Sequence, residues 1–331
     1  MAFPSPTGPN SYIWNLKQVY NARLGNNWPD SLFSRGIYGG GGFQNVINYI
    51  DTNSLGNATD FGDLTLAVAG VSAATNSTHM LFNGGYLAPS YVRQTEISRI
   101  TIASTGNAVS FGNLSAASAY CATANNATIG LYAGTAGGGP GQNQIQRITL
   151  SSGGTSQPGA NLTFSRWGQA SSSSTTRAVF GGGQNNDSFP TNSNLYNNTI
   201  DYVDYASDGT CSDFGDLTVG RNYPQGVASQ TRMVIGGGGQ APFPGVDSNI
   251  MDYITFASTG NATDFGDLTV SSGGAGFTGM SNSLRGIFAG QGNTNVIQYI
   301  TIATLGNSID FGDLIVATSA GAAGCNKQGG L

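Results

Sequence analysis

The sequence predicts an all-β fold: a six-bladed β-propeller of four-stranded antiparallel blades, closed by the C-terminal strand. Three observations predict it. A five-residue motif recurs about every fifty residues, each recurrence carries four short β-prone stretches, and the two ends of the repeated region are complementary. The motif is Asp264-Phe265-Gly266-Asp267-Leu268, and it returns unchanged at residues 60–64, 213–217 and 310–314. A weaker copy is Ser110-Phe111-Gly112-Asn113-Leu114, and a degenerate one is Pro158-Gly159-Ala160-Asn161-Leu162. The six leucines, Leu64, Leu114, Leu162, Leu217, Leu268 and Leu314, are separated by 50, 48, 55, 51 and 46 residues. Units of this kind bury their apolar faces against their neighbours, so the array replaces the two-domain division that 331 residues would otherwise suggest.

Residues 1–30 precede the repeats and read as an attachment tail with a short helix; residues 31–331 read as the propeller. Residues 1–9 are rich in Pro and Gly and favour extended chain. Asn10-Ser11 is an N-cap pair, and Ile13, Leu16, Tyr20 and Leu24 follow at spacings of three, four and four, one face of a helix over about 11–24. Gly25 is a natural stop. A helix this short is marginal alone and needs something to dock on, either the propeller's own surface or another protein. Trp14 and Trp28 flank it.

Residues 224–270 show one repeat at its clearest. A short small-residue stretch at 226–229 leads to Thr231-Arg232-Met233-Val234-Ile235, which runs into four glycines at 236–239. After a loop, Ile250, Ile254 and Phe256 keep a period of two. Ser258-Thr259-Gly260-Asn261 marks a turn, and the motif strand closes the unit. Four antiparallel strands at this period make a propeller blade. The Phe and Leu of the motif are expected to fill the gap between adjacent sheets, and its two Asp to flank a tight Gly turn. The repeats begin at a second strand, near Phe33, and end after a first strand, at about 320–327. The C-terminal piece therefore supplies the strand the first blade lacks and removes an open sheet edge.

The Gly run, the pairs Asp252-Tyr253, Asp201-Tyr202 and Asn48-Tyr49, and then Phe265 and Leu268 together resemble the kelch repeat. The Asp-Tyr order is reversed from the usual kelch order, and Phe stands where kelch has Trp. The recurrent phrase around Tyr-Ile-Thr-Ile-Ala-Ser-Thr-Gly-Asn is similar to kelch-like proteins of marine and cyanobacterial tailed phages. The opening segment, through Trp28-Pro29, resembles virion fibre or appendage lead-ins. This resemblance implies a virion protein whose tail joins other virion proteins, which forms a homo-oligomer in the particle, and whose propeller meets a host-surface glycan or protein.

Composition narrows the function. Charged residues are 9% of the chain, the net charge is −5, and the only lysines are Lys17 and Lys327, so no basic face exists to neutralise phosphates. No apolar run approaches a membrane span, and the N-terminus has no signal-peptide pattern. Cys121, Cys211 and Cys325 form neither a disulfide framework nor a zinc pattern and read as small buried thiols. The lone His79 occupies the slot held elsewhere by Arg35, Arg177, Arg232 and Arg285, so it is a variant of a structural position. That Arg series admits two readings: packed stems bonding nearby carbonyls or the repeated Asp, or a ring of cations holding an anion in the channel. The Gly runs lack the Lys-Ser/Thr ending of a phosphate loop. One Asp-x-x-Asp per radiating blade does not gather the about six to eight oxygens that calcium takes. No catalytic residue, metal or cofactor is expected, and the chain is not read as an enzyme.

What varies between repeats is the loop after each Gly run, long at 86–94, 135–143, 184–197 and 240–247. Variable loops on a rigid ring are where binding concentrates. Tyr86, Tyr91, Phe189, Tyr196 and Phe243 are the candidate ligand-contacting residues, because aromatic faces beside Asn and Ser suit sugars or protein surfaces. Trp14, Leu16, Tyr20 and Trp28 are the candidate attachment residues. The leading expectation is a non-enzymatic virion adhesion protein located in the extracellular particle. A purely structural adaptor within the virion and a secreted lectin-like propeller are the alternatives.

Overall fold

A computed structural model describes residues 34–136, 143–185, 196–207, 209–240, 246–274, 277–290 and 294–328. The tail and helix expected over residues 1–30, with Trp14, Leu16, Tyr20 and Trp28, lie outside the described residues, as do Phe189 and Phe243. Among the described residues there are strands and no helix.

The strands form small antiparallel sheets in a propeller-like arrangement, with four blades built alike. Repeat 3 gives Ala122–Asn125, Ile129–Ala133, Gln144–Thr149 and Gln157–Asn161, paired in that order. Repeat 4 gives Ala170–Ser173, Arg177–Gly181, Thr199–Asp204 and Ser212–Asp216. Repeat 5 gives Gln225–Ala228, Arg232–Gly236, Val246–Thr255 and Thr263–Ser272, and repeat 6 gives Thr278–Ser281, Arg285–Ala289, Val296–Thr301 and Ile309–Asp313. The strands of repeats 1 and 2 share one larger sheet. In it Ser72–Thr75, His79–Asn83, Val92–Thr101 and Val109–Ser118 pair in sequence. So do Arg35–Gly39, Gln44–Asp51 and Thr59–Ala69, with Ala322–Cys325 on the free side of Arg35–Gly39. The short Tyr86–Leu87 strand bridges the two sets.

The first strand of each set faces its neighbours: Ser72–Thr75 lies against Ala122–Asn125, that against Ala170–Ser173, and so on through Gln225–Ala228, Thr278–Ser281 and Ala322–Cys325, which returns to Ser72–Thr75. Second strands are the apolar heart, with every residue after the first buried in Arg35–Gly39, Arg232–Gly236 and Arg285–Ala289. The cores lie between repeats. Phe61 and Leu64 of repeat 1 pack with Met80, Phe82 and Ile102 of repeat 2. Phe265 and Leu268 do the same with Phe288, Ile300 and Ile302, and Phe311 and Leu314 with Ile50 and Ala58 of repeat 1. The Phe and Leu of the motif therefore fill the inter-sheet gap, each contributing about 1.5–3 kcal/mol of burial.

The motif's Asp residues act differently from expectation. The second Asp works through its backbone: Asp63 N–H donates to Asn107 Oδ1 at 3.0 Å, Asp216 N–H to Asn261 Oδ1 at 3.1 Å, and Asp267 N–H to Asn307 Oδ1 at 2.9 Å. In each case the acceptor belongs to the turn of the following repeat. The spacing reflects a lock between blades rather than a turn closed on itself.

Candidate binding site at the channel mouth

At five of the connections from an outer strand to the next inner strand, one residue takes a left-handed backbone. Gly70, Tyr120, Gly168, Tyr223 and Ala320 have φ of 68°, 55°, 64°, 56° and 57°. Their backbones bond in succession around the axis: Gly70 N–H to Ala320 O at 2.8 Å, Tyr120 N–H to Gly70 O at 2.8 Å, and Tyr223 N–H to Gly168 O at 2.7 Å. This ring of peptide groups frames a cavity of about 100 Å3 whose walls include Thr123, Gln169, Ser171, Gln225, Phe277 and Thr278. No ionisable carboxylate or imidazole lines it among the described residues.

Aromatic side chains rise from this frame. Tyr120 packs against Tyr86, Trp167 and Tyr223 with ring centroids 5.9, 6.2 and 5.5 Å apart, and Trp167 meets Tyr223 edge-on at 5.3 Å. Phe43 meets Tyr91 edge-on at 5.4 Å. Tyr91 is 65% exposed, and the others are half-buried, so the cluster presents faces and hydroxyls outward. Burial raises the pKa of Tyr86, Tyr120 and Tyr223 above the ordinary phenol value, and neighbouring hydroxyls push Tyr120 and Tyr223 further. These hydroxyls stay protonated and can donate. The nearby cation is Arg93, whose Nη1 donates to Ala136 O at 3.2 Å.

Five described non-glycine residues have positive φ: Phe43, Tyr91, Tyr120, Tyr223 and Ala320. Tyr120 and Tyr223 belong to this cluster, and Phe43 and Tyr91 form the edge-on pair beside it. A bulky residue in the left-handed region is strained by about 1–2 kcal/mol. Such strain concentrates where a side chain is held for a purpose.

Of the sequence candidates, Tyr86 and Tyr91 are brought into the cluster. Tyr196 borders it: burial raises its pKa, a hydrogen bond from Asn222 partly offsets this, and it in turn opposes ionisation of Tyr223. Sequence reasoning missed Phe43, Tyr120, Trp167 and Tyr223, because it weighed only the long loops after the Gly runs. A signal was present, since Tyr120 and Tyr223 stand where repeats 1 and 3 place Gly70 and Gly168.

The Arg series resolves to packed stems. Arg35 Nη1 donates to Ile102 O at 2.8 Å, Arg177 to Phe256 O at 2.7 Å, Arg232 to Ile302 O at 2.9 Å and Arg285 to Thr52 O at 3.1 Å. None of them lines the cavity. His79 bonds Thr78 through Nδ1 at 2.9 Å, and burial, then Arg99, lowers its pKa. No group of three or more His, Cys, Asp or Glu that could hold a metal occurs among the described residues. The thiols are free, and burial pushes Cys121 and Cys211 up to about 12.

Fold and rim together define a class: an all-β, propeller-like protein with an uncharged axial cavity capped by strained aromatics. No protein-family model matches the chain, and no curated protein matches it.

Proposed function

We propose that this is a non-enzymatic recognition propeller of the kelch-like kind, carried on a tailed-phage particle, whose aromatic rim adheres to a host-surface glycan or protein. Residues 1–30 would join it to other virion proteins, with several copies per particle. The ring has six blades in this reading, closed by Ala322–Cys325. What supports closure is the antiparallel pairing of that strand with Arg35–Gly39, the return of inner-strand contacts to Ser72–Thr75, and the core shared by repeats 6 and 1.

The single observation that carries the binding role is the coincidence of backbone strain and aromatic clustering at Phe43, Tyr91, Tyr120 and Tyr223. Aromatic faces with protonated hydroxyls suit the C–H faces and hydroxyls of sugars, or a protein surface. The test replaces Tyr120 and Tyr223 together with Gly, the residue repeats 1 and 3 carry in that place. Relief of backbone strain offsets part of the lost ring packing, so the fold persists by circular dichroism, while binding on a glycan array and in a host-cell pull-down falls by about tenfold or more, equivalent to about 1.4 kcal/mol. Undiminished binding by that variant would remove the rim from the mechanism. No binding by the unaltered protein would favour a structural adaptor within the virion.

A further inference from the structure

The end of the molecule opposite the rim carries an apolar patch. Among the described residues, Leu284 is 65% exposed, Leu305 59%, Leu55 57% and Ile309 54%. All four belong to repeats 6 and 1. The equivalents of Leu284 in other repeats are Thr78, Thr128, Thr176 and Thr231, and those of Leu55 and Leu305 are Thr105 and Thr259. Threonine is therefore what the turn itself accepts, and three leucines on the turns of repeats 6 and 1 serve something other than the turn. Clustered exposed apolar groups mark an interaction surface.

The patch surrounds the point where the chain enters the fold. Ser34 O accepts from Thr52 N–H at 2.8 Å and from Thr52 Oγ1 at 3.0 Å. Thr52 in turn holds the turn that bears Leu284: Asn282 Nδ2 donates to Thr52 Oγ1 at 2.9 Å and Arg285 Nη1 to Thr52 O at 3.1 Å. Leu284 O accepts from Ile302 N–H at 2.9 Å, joining it to the turn that bears Leu305. Gly56 N–H, beside Leu55, donates to Phe311 O at 3.0 Å on the strand that begins with Ile309. A groove of about 530 Å3 opens alongside, between residues 229–232 and 302–303.

We infer that the occupant of this patch is the chain's own segment 10–28, folded back through its apolar residues Ile13, Leu16, Tyr20 and Leu24. The thirty-three residues before Ser34 begin at the patch, so their effective concentration over it is high. They carry the apolar stripe the patch lacks a partner for. Charge agrees: Lys17 and Arg23 lie beside that stripe, and exposed Asp51 and Asp310 lie beside Leu55 and Ile309. On a helix Trp14 sits about a quarter-turn from the stripe. Leu16 and Tyr20 would then grip the propeller, and Trp14, off the stripe, would not be needed for docking. This holds whether or not the rim binds a glycan.

The test is tryptic cleavage after Arg23 in the full-length purified protein. Its rate follows the population of the undocked segment when docking is fast. Replacing Leu55, Leu284 and Leu305 together with Thr, as other repeats have, is expected to speed cleavage by about tenfold, with the thermal midpoint of the propeller little changed. A second variant, Leu16→Asp with Tyr20→Asp, should speed it equally without touching the propeller. Protection should not change on dilution. Equal cleavage rates in all three proteins would overturn the inference. Protection that disappears on dilution would also overturn it, because the cover would then be a second copy.

Discussion

Arg221 and Asp252 are both fully buried and 2.6 Å apart. The guanidinium also donates to Gly237 O and Ile250 O at 3.0 and 2.6 Å, while Thr218 Oγ1 donates to Asp252 Oδ1 at 2.6 Å. Arg166 and Asp201 repeat the arrangement one blade earlier, at 3.0 Å. In repeats 3 and 6 the same place holds Gln146 and Gln298, which accept from Ser115 and Thr269 of the preceding repeat. In these four repeats the buried polar position thus ties the blade to the connection before it. Burial lowers the Arg221 pKa and Asp252 opposes that shift. Asp252→Ala would leave a buried cation unpaired, and urea unfolding should show a loss of about 3–5 kcal/mol. Replacing both partners with apolar residues of similar volume should cost far less. A second residue-level pattern concerns the Arg series. Arg35, Arg177, Arg232 and Arg285 lie over Tyr49, Tyr202, Tyr253 and Tyr299, which meet Phe61, Phe214, Phe265 and Phe311 edge-on. Repeats 2 and 3 lack both the Arg and the Tyr, and Arg99 and Arg147 occupy the Tyr place instead. Arg147 Nη1 donates to Tyr205 O at 3.1 Å, and Arg99 lies over Phe111, so the cation reaches the same layer from the neighbouring strand.

At the scale of the strand, the motif is a lock. Gly306 N–H donates to Phe265 O and Ser308 N–H to Asp267 O, both at 2.9 Å, while Asp267 N–H returns to Asn307 Oδ1. Gly266 has φ +140°, and a Cβ there would lie 2.6 Å from the Gly306 carbonyl. Gly306 has φ +149°, and a Cβ there would meet nothing within 4 Å. Gly266→Ala must therefore displace the turn as well as strain the backbone, whereas Gly306→Ala pays only strain. The expected losses are about 3 kcal/mol and about 1 kcal/mol, read as shifts of the urea midpoint. Equal losses would show that the close approach is not what selects Gly266. The motif's recurrence was plain in the sequence. Its role was not, because the turn it grips lies 40 residues further on, from Asp267 to Asn307, and belongs to another sheet.

For the molecule as a whole, the proposed closure makes stability depend on the ends meeting. Ala322–Cys325 pairs with Arg35–Gly39 across nearly the full chain, and Cys325 is buried in the core shared by repeats 6 and 1. Ending the chain after residue 316 removes that strand and leaves Arg35–Gly39 with an open, apolar edge. The truncated protein is expected to be insoluble or unfolded by circular dichroism and gel filtration; a soluble, folded product would refute closure by this strand. Tyr38 and Cys325 both have pKa values raised by burial, with their mutual proximity adding to that of Tyr38. The native state thus keeps protons that the unfolded chain gives up, and stability is present below the ordinary thiol and phenol pKa values and lost above them.

The all-β class, the four-stranded antiparallel unit and its apolar stripe came from the sequence alone, because a strand's period of two and a repeat's near-constant length are local properties that the chain must carry in its order. Tyr86 and Tyr91 were within reach for the same reason, since they stand in a loop that breaks the repeat. Only the tertiary structure decided that Phe43, Tyr120, Trp167 and Tyr223 join them, for these residues come from different connections and meet because the inner strands turn about a common axis. It also decided that four of the aromatics are held in a left-handed backbone, a cost that one-dimensional spacing does not display.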